Sequence, residues 1–155
     1  MKFVVYCNIV VNDENTPTQM AGCGIVLILN VDGHIKRRDL SFALGGSDSE
    51  LSSIQCLRLA LTSIIPSFRK HPLEVHVNDR KAVDLLVRSG DEFVNMSARY
   101  FNQVSDMRRL FVQYPDVNFI LEINDYDDYM RDACRLANTV VKSQKNTDSG
   151  TFDVL

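Results

Sequence analysis

Asp79 stands at the end of LEVHV, an alternating run rich in branched residues over Leu73–Val77 that reads as a short strand. It directly precedes Arg80–Val87, where Ala82, Val83, Leu86 and Val87 follow a helical spacing. A carboxylate at the carboxyl end of a strand that feeds a helix occupies the place where open α/β sheets put their chemistry. Asp is also a preferred N-cap, so Asp79 has a second reading as the cap of that helix. Glu50 has the same double character. It closes Ser47-Asp48-Ser49-Glu50, a capping-box sequence at the start of an apolar helix. Asn8 is the one polar residue in the middle of the apolar run Phe3–Val11. Asp125, Asp127 and Asp128 crowd the segment ahead of the last helix, where Tyr126 and Tyr129 either stack bases or pack on the sheet. His34, His71 and His76 share no helix or strand spacing suited to a metal, and His76 reads as a strand residue.

The elements that must position these groups follow from periodicity. Phe3–Val11 and Gly24–Val31 read as strands, and Asp32-Gly33 is a two-residue hairpin signal leading into a charged strand over Ile35–Ala43. A helix runs from the capping box to about Ile65 and stops before Pro66, with Ile54, Leu57, Leu61 and Ile65 as its apolar stripe. After the strand and helix around Asp79 come a helix over Met96–Val112, a strand over Val117–Ile123 and a last helix from about Asp127 to Lys142. The hairpins make the first three strands antiparallel, and the helical crossovers make the later ones parallel neighbours. The expected architecture is α/β: a mixed five-stranded sheet flanked by helices, one domain over 1–144, and a flexible C-terminal tail over 145–155.

Composition narrows the function classes. The 155 residues are 45% hydrophobic and 24% charged, which suits one domain with a sizeable core. A net charge of -3 disfavours a broad electrostatic nucleic-acid binder but leaves room for a local basic patch. Lys36, Arg37, Arg38, Arg69, Lys70, Arg108 and Arg109 read as solvated surface. Cys7, Cys23, Cys56 and Cys134 form no C-x-x-C pair, so they are expected as free thiols in a reducing compartment. The opening MKFVVYCNIVV is too short and too polar at Asn8 for a signal peptide, and no stretch reaches membrane-spanning length. The protein is expected to be intracellular, cytoplasmic or nuclear, and not membrane-bound.

Three stretches together resemble the ribonuclease H-like superfamily. DSELSSIQCLRLAL is similar to the family's first helix, with a Glu in its opening turn. LEVHVNDRKAVDLL is similar to its strand with a terminal Asp and following helix, and DDYMRDACRLAN is similar to its last helix. Active members hydrolyse the RNA strand of an RNA–DNA hybrid with four carboxylates around two divalent ions, which clamp the attacking and leaving oxygens. By this resemblance the family's four acids fall on Asn8, Glu50, Asp79 and Cys134, and the Asn ahead of the last falls on Met130. Two anions survive, at Glu50 and Asp79. Asn8 brings no charge to the central bridging position, and Cys134 is a soft ligand poorly matched to Mg²⁺. Asp132 lies two residues from Cys134, on another helix face, while Asp13, Asp125, Asp127 and Asp128 offer replacements if the register shifts.

The resemblance implies a divergent member with a degenerate site: a pseudo-nuclease acting by protein or nucleic-acid binding, with no cofactor or weakly bound Mg²⁺ or Mn²⁺ at Glu50 and Asp79. The alternative is an active metal-dependent nuclease with a rearranged ligand set. RNA–DNA hybrid or another nucleic acid is one partner class. A protein docked through the sheet edge or the apolar end of the tail, TFDVL, is the other.

Overall fold

A computed structural model describes residues 2–11, 20–45, 49–64, 70–87, 98–124, 126–143 and 145–150. The strands are β1 (Lys2–Val11), β2 (Met20–Val31), β3 (His34–Gly45), β4 (Leu73–Val77), β5 (Val117–Leu121) and β6 (Thr147–Gly150). The helices are α1 (Ser49–Thr62), α2 (Arg80–Val87), α3 (Ala98–Phe111) and α4 (Asp128–Ser143). They build one sheet in the order β5-β4-β1-β2-β3-β6. β1, β2, β3 and β6 pair antiparallel, and β4 pairs parallel with both β1 and β5. Asp32 and Gly33 both take positive φ, 50° and 81°, at the β2–β3 turn, as the hairpin signal requires.

Two expectations are corrected. The sheet has six strands rather than five, because Thr147–Gly150 is not loose tail but pairs with Arg38–Ser41 of β3. Asp148 takes two hydrogen bonds from the Arg38 guanidinium (3.0 and 2.7 Å), and the Asn146 side chain accepts from Ala43 N. A polar strand has little hydrophobic periodicity, so its partner, not its composition, orders it. Residues 151–155 lie outside the described residues, as do Asp13 and Ile65. The second correction concerns the thiols. Cys23 of β2 and Cys56 of α1 form a disulfide, with Cα atoms 5.7 Å apart. The argument for a reducing compartment loses its premise there, since disulfides persist mainly in oxidising surroundings. Cys7 stays free and fully buried, and burial pushes its thiol up, so it remains protonated and inert. No helix among the described residues is long and apolar enough to cross a membrane.

The strands alternate between two unlike layers. Phe3, Val5 and Cys7 of β1, with Ile25, Leu27 and Leu29 of β2, face Ile54, Leu57 and Leu61 of α1 and Val104 and Met107 of α3. The opposite face carries Tyr6, Val26 and Ile28 beneath Met130 and Ala133 of α4. The buried residues of α4, Met130, Ala133, Ala137 and Val140, fall on one stripe at helical spacing. α4 lies directly on β2 because Gly22 and Gly24 have no side chains. A Cβ at Gly22 would meet the Ala137 carbonyl oxygen, and one at Gly24 would meet that of Ala133.

Candidate functional site

β1 and β4 are parallel neighbours, so their carboxyl ends lie side by side, and Asn8 and Asp79 fall at that end. The Asn78 side chain extends the pairing there: it accepts from Ile9 N (3.0 Å) and donates to Ile9 O (3.1 Å). Asn8 points to the α4 layer, the side opposite Cys7. It is 1% exposed, and its amide donates to the Met130 sulfur at 3.6 Å, a weak contact. Its Oδ1 has no hydrogen-bond partner among the described residues. Asp79 is half-buried, with Oδ1 3.5 Å from Ala82 N at the start of α2, the placement of a cap. Glu50 is the second residue of α1, and its side chain lies outside the described residues. Cys134 is half-buried beside the apolar stripe of α4, where Asn138 donates to both its carbonyl oxygen and its sulfur.

Paired dications need several oxygen ligands and compensating negative charge. At the positions the resemblance gives to the central and fourth acids stand a neutral amide, Asn8, against the Met130 sulfur, and a thiol, Cys134.

A second constellation forms where linear spacing carries no signal. His76 of β4 stacks on Tyr6 of β1, with ring centroids 4.3 Å apart. Its Nδ1 lies 2.5 Å from Glu122 Oε2 and its Nε2 lies 3.0 Å from Glu74 Oε2. Glu122 follows β5 and is fixed by its own backbone, Glu122 N donating to Val77 O at 2.9 Å. Its other oxygen accepts from Asp127 N (3.0 Å). Asp127 caps α4 through Met130 N (2.8 Å) and also hydrogen-bonds to the Tyr6 phenol. Burial, with the Asp127 charge next, pushes the Tyr6 phenol far above its ordinary range, so it stays a donor. The hydrogen bond to His76 is the largest influence holding the Glu74 carboxyl below its usual range, and Lys2 adds to it at 3.0 Å. His76, Glu122 and Asp127 each offer one ligand atom, all within 4.8 Å of one another. These residues come from three separate elements joined by the parallel β4–β5 pairing, so spacing along the chain could not reveal them. The available signal was Glu74-x-His76, two polar residues on one face of an apolar strand.

The expected solvated arginines are partly engaged. Arg37 holds Asp39 (2.7 Å) and Asp132 (2.9 Å) and lies 5.6 Å from the Tyr129 ring centre, while Arg135 also pairs with Asp132. They line an open groove of about 420 Å³ between β3 and α4, with Ser41 and Thr139. Each cation there has an anionic partner, which weakens the groove as a phosphate site. Tyr126 and Tyr129 pack on the α4 side of the sheet, Tyr129 5.3 Å from Tyr6. Asp125 lies outside the described residues.

No family model and no curated protein matches the sequence. Solved structures do match in shape. LC9-RNase H1, a type 1 RNase H with the type 2 active-site motif, superposes with a TM-score of 0.76 at 12% identity, covering 97% of this chain and 78% of its own. RNase H1 from the halophilic archaeon Halobacterium salinarum gives 0.70 at 17% identity, covering 92% and 99%. LC11-RNase H1 in complex with an RNA/DNA hybrid gives 0.66 at 14%, covering 92% and 99%. On this likeness of shape the chain has the ribonuclease H-like fold.

Proposed function

We propose that this chain is a ribonuclease H-fold module with a degenerate active site, acting by binding rather than by cleavage. The surviving acid positions are Glu50 and Asp79, and the substituted ones are Asn8 and Cys134. The observation that carries the reading is Asn8: a neutral, buried side chain turned against the Met130 sulfur, at the position the resemblance gives to the acid shared by both ions. Without that charge, and with a soft thiol as the fourth ligand, Mg²⁺ or Mn²⁺ binds weakly or not at all at Glu50 and Asp79.

An RNA–DNA hybrid is the first partner to test, because a neighbour of the same fold was solved with one. The net charge of -3 and the paired arginines argue for modest affinity that falls steeply with salt. A protein partner is the other class. The β5 strand is a sheet edge, and the exposed Val112 and Ile123 lie next to it in sequence. Incubation of labelled hybrid, RNA duplex and DNA duplex with Mg²⁺ or Mn²⁺, followed by gel analysis and binding titration, tests the reading. It predicts no cleavage of any substrate. Hybrid cleavage abolished by Asp79→Asn would establish the alternative, a working nuclease with a rearranged ligand set.

A further inference from the structure

We propose that His76, Glu122 and Asp127 form a binding site for a single divalent transition-metal ion of the Zn²⁺ class, separate from Asn8, Glu50, Asp79 and Cys134. The three ligand atoms lie within 4.8 Å of one another. Tetrahedral coordination at bonds of ~2.0–2.1 Å places ligand atoms ~3.3 Å apart, so sub-ångström to ångström side-chain shifts complete the site. His76 Nδ1 and Glu122 Oε2 are in hydrogen-bond contact, 2.5 Å apart, and an ion binds there by displacing the proton they share.

The surroundings are those of a ligating histidine. A metal-bound imidazole characteristically gives its other ring N–H to a carboxylate, which fixes the tautomer and leaves the first nitrogen free to ligate. Glu74 stands in that place, 3.0 Å from Nε2, and Tyr6 stacks on the ring and fixes its plane. Glu122 and Asp127 each commit one oxygen to a backbone N–H, of Asp127 and Met130 respectively; Glu122 Oε2 meets His76 Nδ1 and Asp127 also binds the Tyr6 phenol, contacts that an incoming ion replaces. Buried Asn8 donates to the sulfur of Met130, the residue whose N–H Asp127 accepts, and is not one of the three ligands.

One imidazole and two carboxylates favour a borderline ion over Mg²⁺, which prefers an all-oxygen octahedron and sheds water reluctantly. His76 is buried while Asp127 is exposed, so an ion enters from the solvent side and keeps an open position there. The site joins β4, the connection after β5 and the start of α4. It does not rest on the binding-module reading, because hybrid cleavage and zinc affinity are measured separately.

The test is calorimetric titration of the full chain with Zn²⁺ and with Mg²⁺, together with Co²⁺ absorption spectra. The expected result is one Zn²⁺ per chain, with Mg²⁺ at least about tenfold weaker. His76→Gln and Glu122→Gln should each lower zinc affinity at least about tenfold. If His76→Gln does not fold, the His34→Gln/His71→Gln double variant decides. It removes the other two imidazoles of the chain and should keep the Co²⁺ d–d bands and Mn²⁺ EPR nitrogen coupling of the wild type. Absence of zinc binding by the wild type, binding untouched by Glu122→Gln, or nitrogen coupling lost in the double variant would overturn the proposal.

Discussion

The two faces of the sheet are built on opposite principles. The face under α1, α2 and α3 is filled with large aliphatic side chains and locked by the Cys23–Cys56 bond. The face under α4 carries one helix lying on two glycines, with Asn8, His76 and Ser41 as its buried polar residues. Polar groups are costly in a deep core but cheaper where a single helix leaves open flanks for water and charge. The candidate metal cluster and the arginine-lined groove therefore both sit on the thin side, and the thick side supplies the rigidity that holds them.

The sharpest way to break this contrast is to add one carbon to the thin side. Gly24→Ala drives a Cβ into the Ala133 carbonyl oxygen, so α4 must lift from β2. A loss above about 4 kcal/mol, or no cooperative unfolding in urea, is expected. On the thick side the damaging change is removal: Leu57→Ala in α1 should cost about 2–5 kcal/mol by leaving a cavity. Next in size is the disulfide. It closes a loop across 33 residues, so Cys23→Ala/Cys56→Ala should lower stability by about 3–4 kcal/mol in chemical denaturation, on the chain-entropy account.

Asn8→Asp asks whether the thin side still tolerates the anion of an active enzyme. A buried carboxylate here has its pKa raised, so the penalty is present above the ordinary Asp value of about 3.9 and vanishes below it. About 1–3 kcal/mol is expected at neutral pH, while Asn8→Leu, which removes the unpartnered oxygen, should be near neutral. The smallest effect belongs to β6. Arg38 holds Asp148 below its ordinary value of 3.8. A lowered carboxylate pKa contributes stability that is full above the unfolded value and lost as the pH falls through the folded one. Because Asp148 is about half exposed, the contribution is under about 1 kcal/mol. Amide exchange at β6 should quicken first below pH 3.8, with β1 and β2 unchanged.

Much of the fold could be read from the sequence because its central elements obey their periods. β1 and β2 read as near-continuous apolar runs and are buried on both faces, and Asp32-Gly33 forms the turn it signals. β6 was missed because TDSG has no apolar period, and its order comes from Arg38 and the β3 edge. The disulfide was missed because Cys23 and Cys56 meet only after β2 and α1 pack. The positions of Asn8 and Asp79 on neighbouring strands were legible through the family pattern, since parallel pairing places both at one sheet end. The His76 cluster was not legible. Its three ligands become neighbours only through the β4–β5 register and the cap of α4, which no linear spacing encodes.

Diffraction from crystals soaked in Mn²⁺, with anomalous maps inspected between Asn8, Glu50, Asp79 and Cys134, tests the proposed loss of the two-ion site most directly. The account predicts no pair of peaks there, whatever is seen beside His76. Two ions about 4 Å apart, bridged at Asn8 and ligated by Glu50 and Asp79, would contradict it.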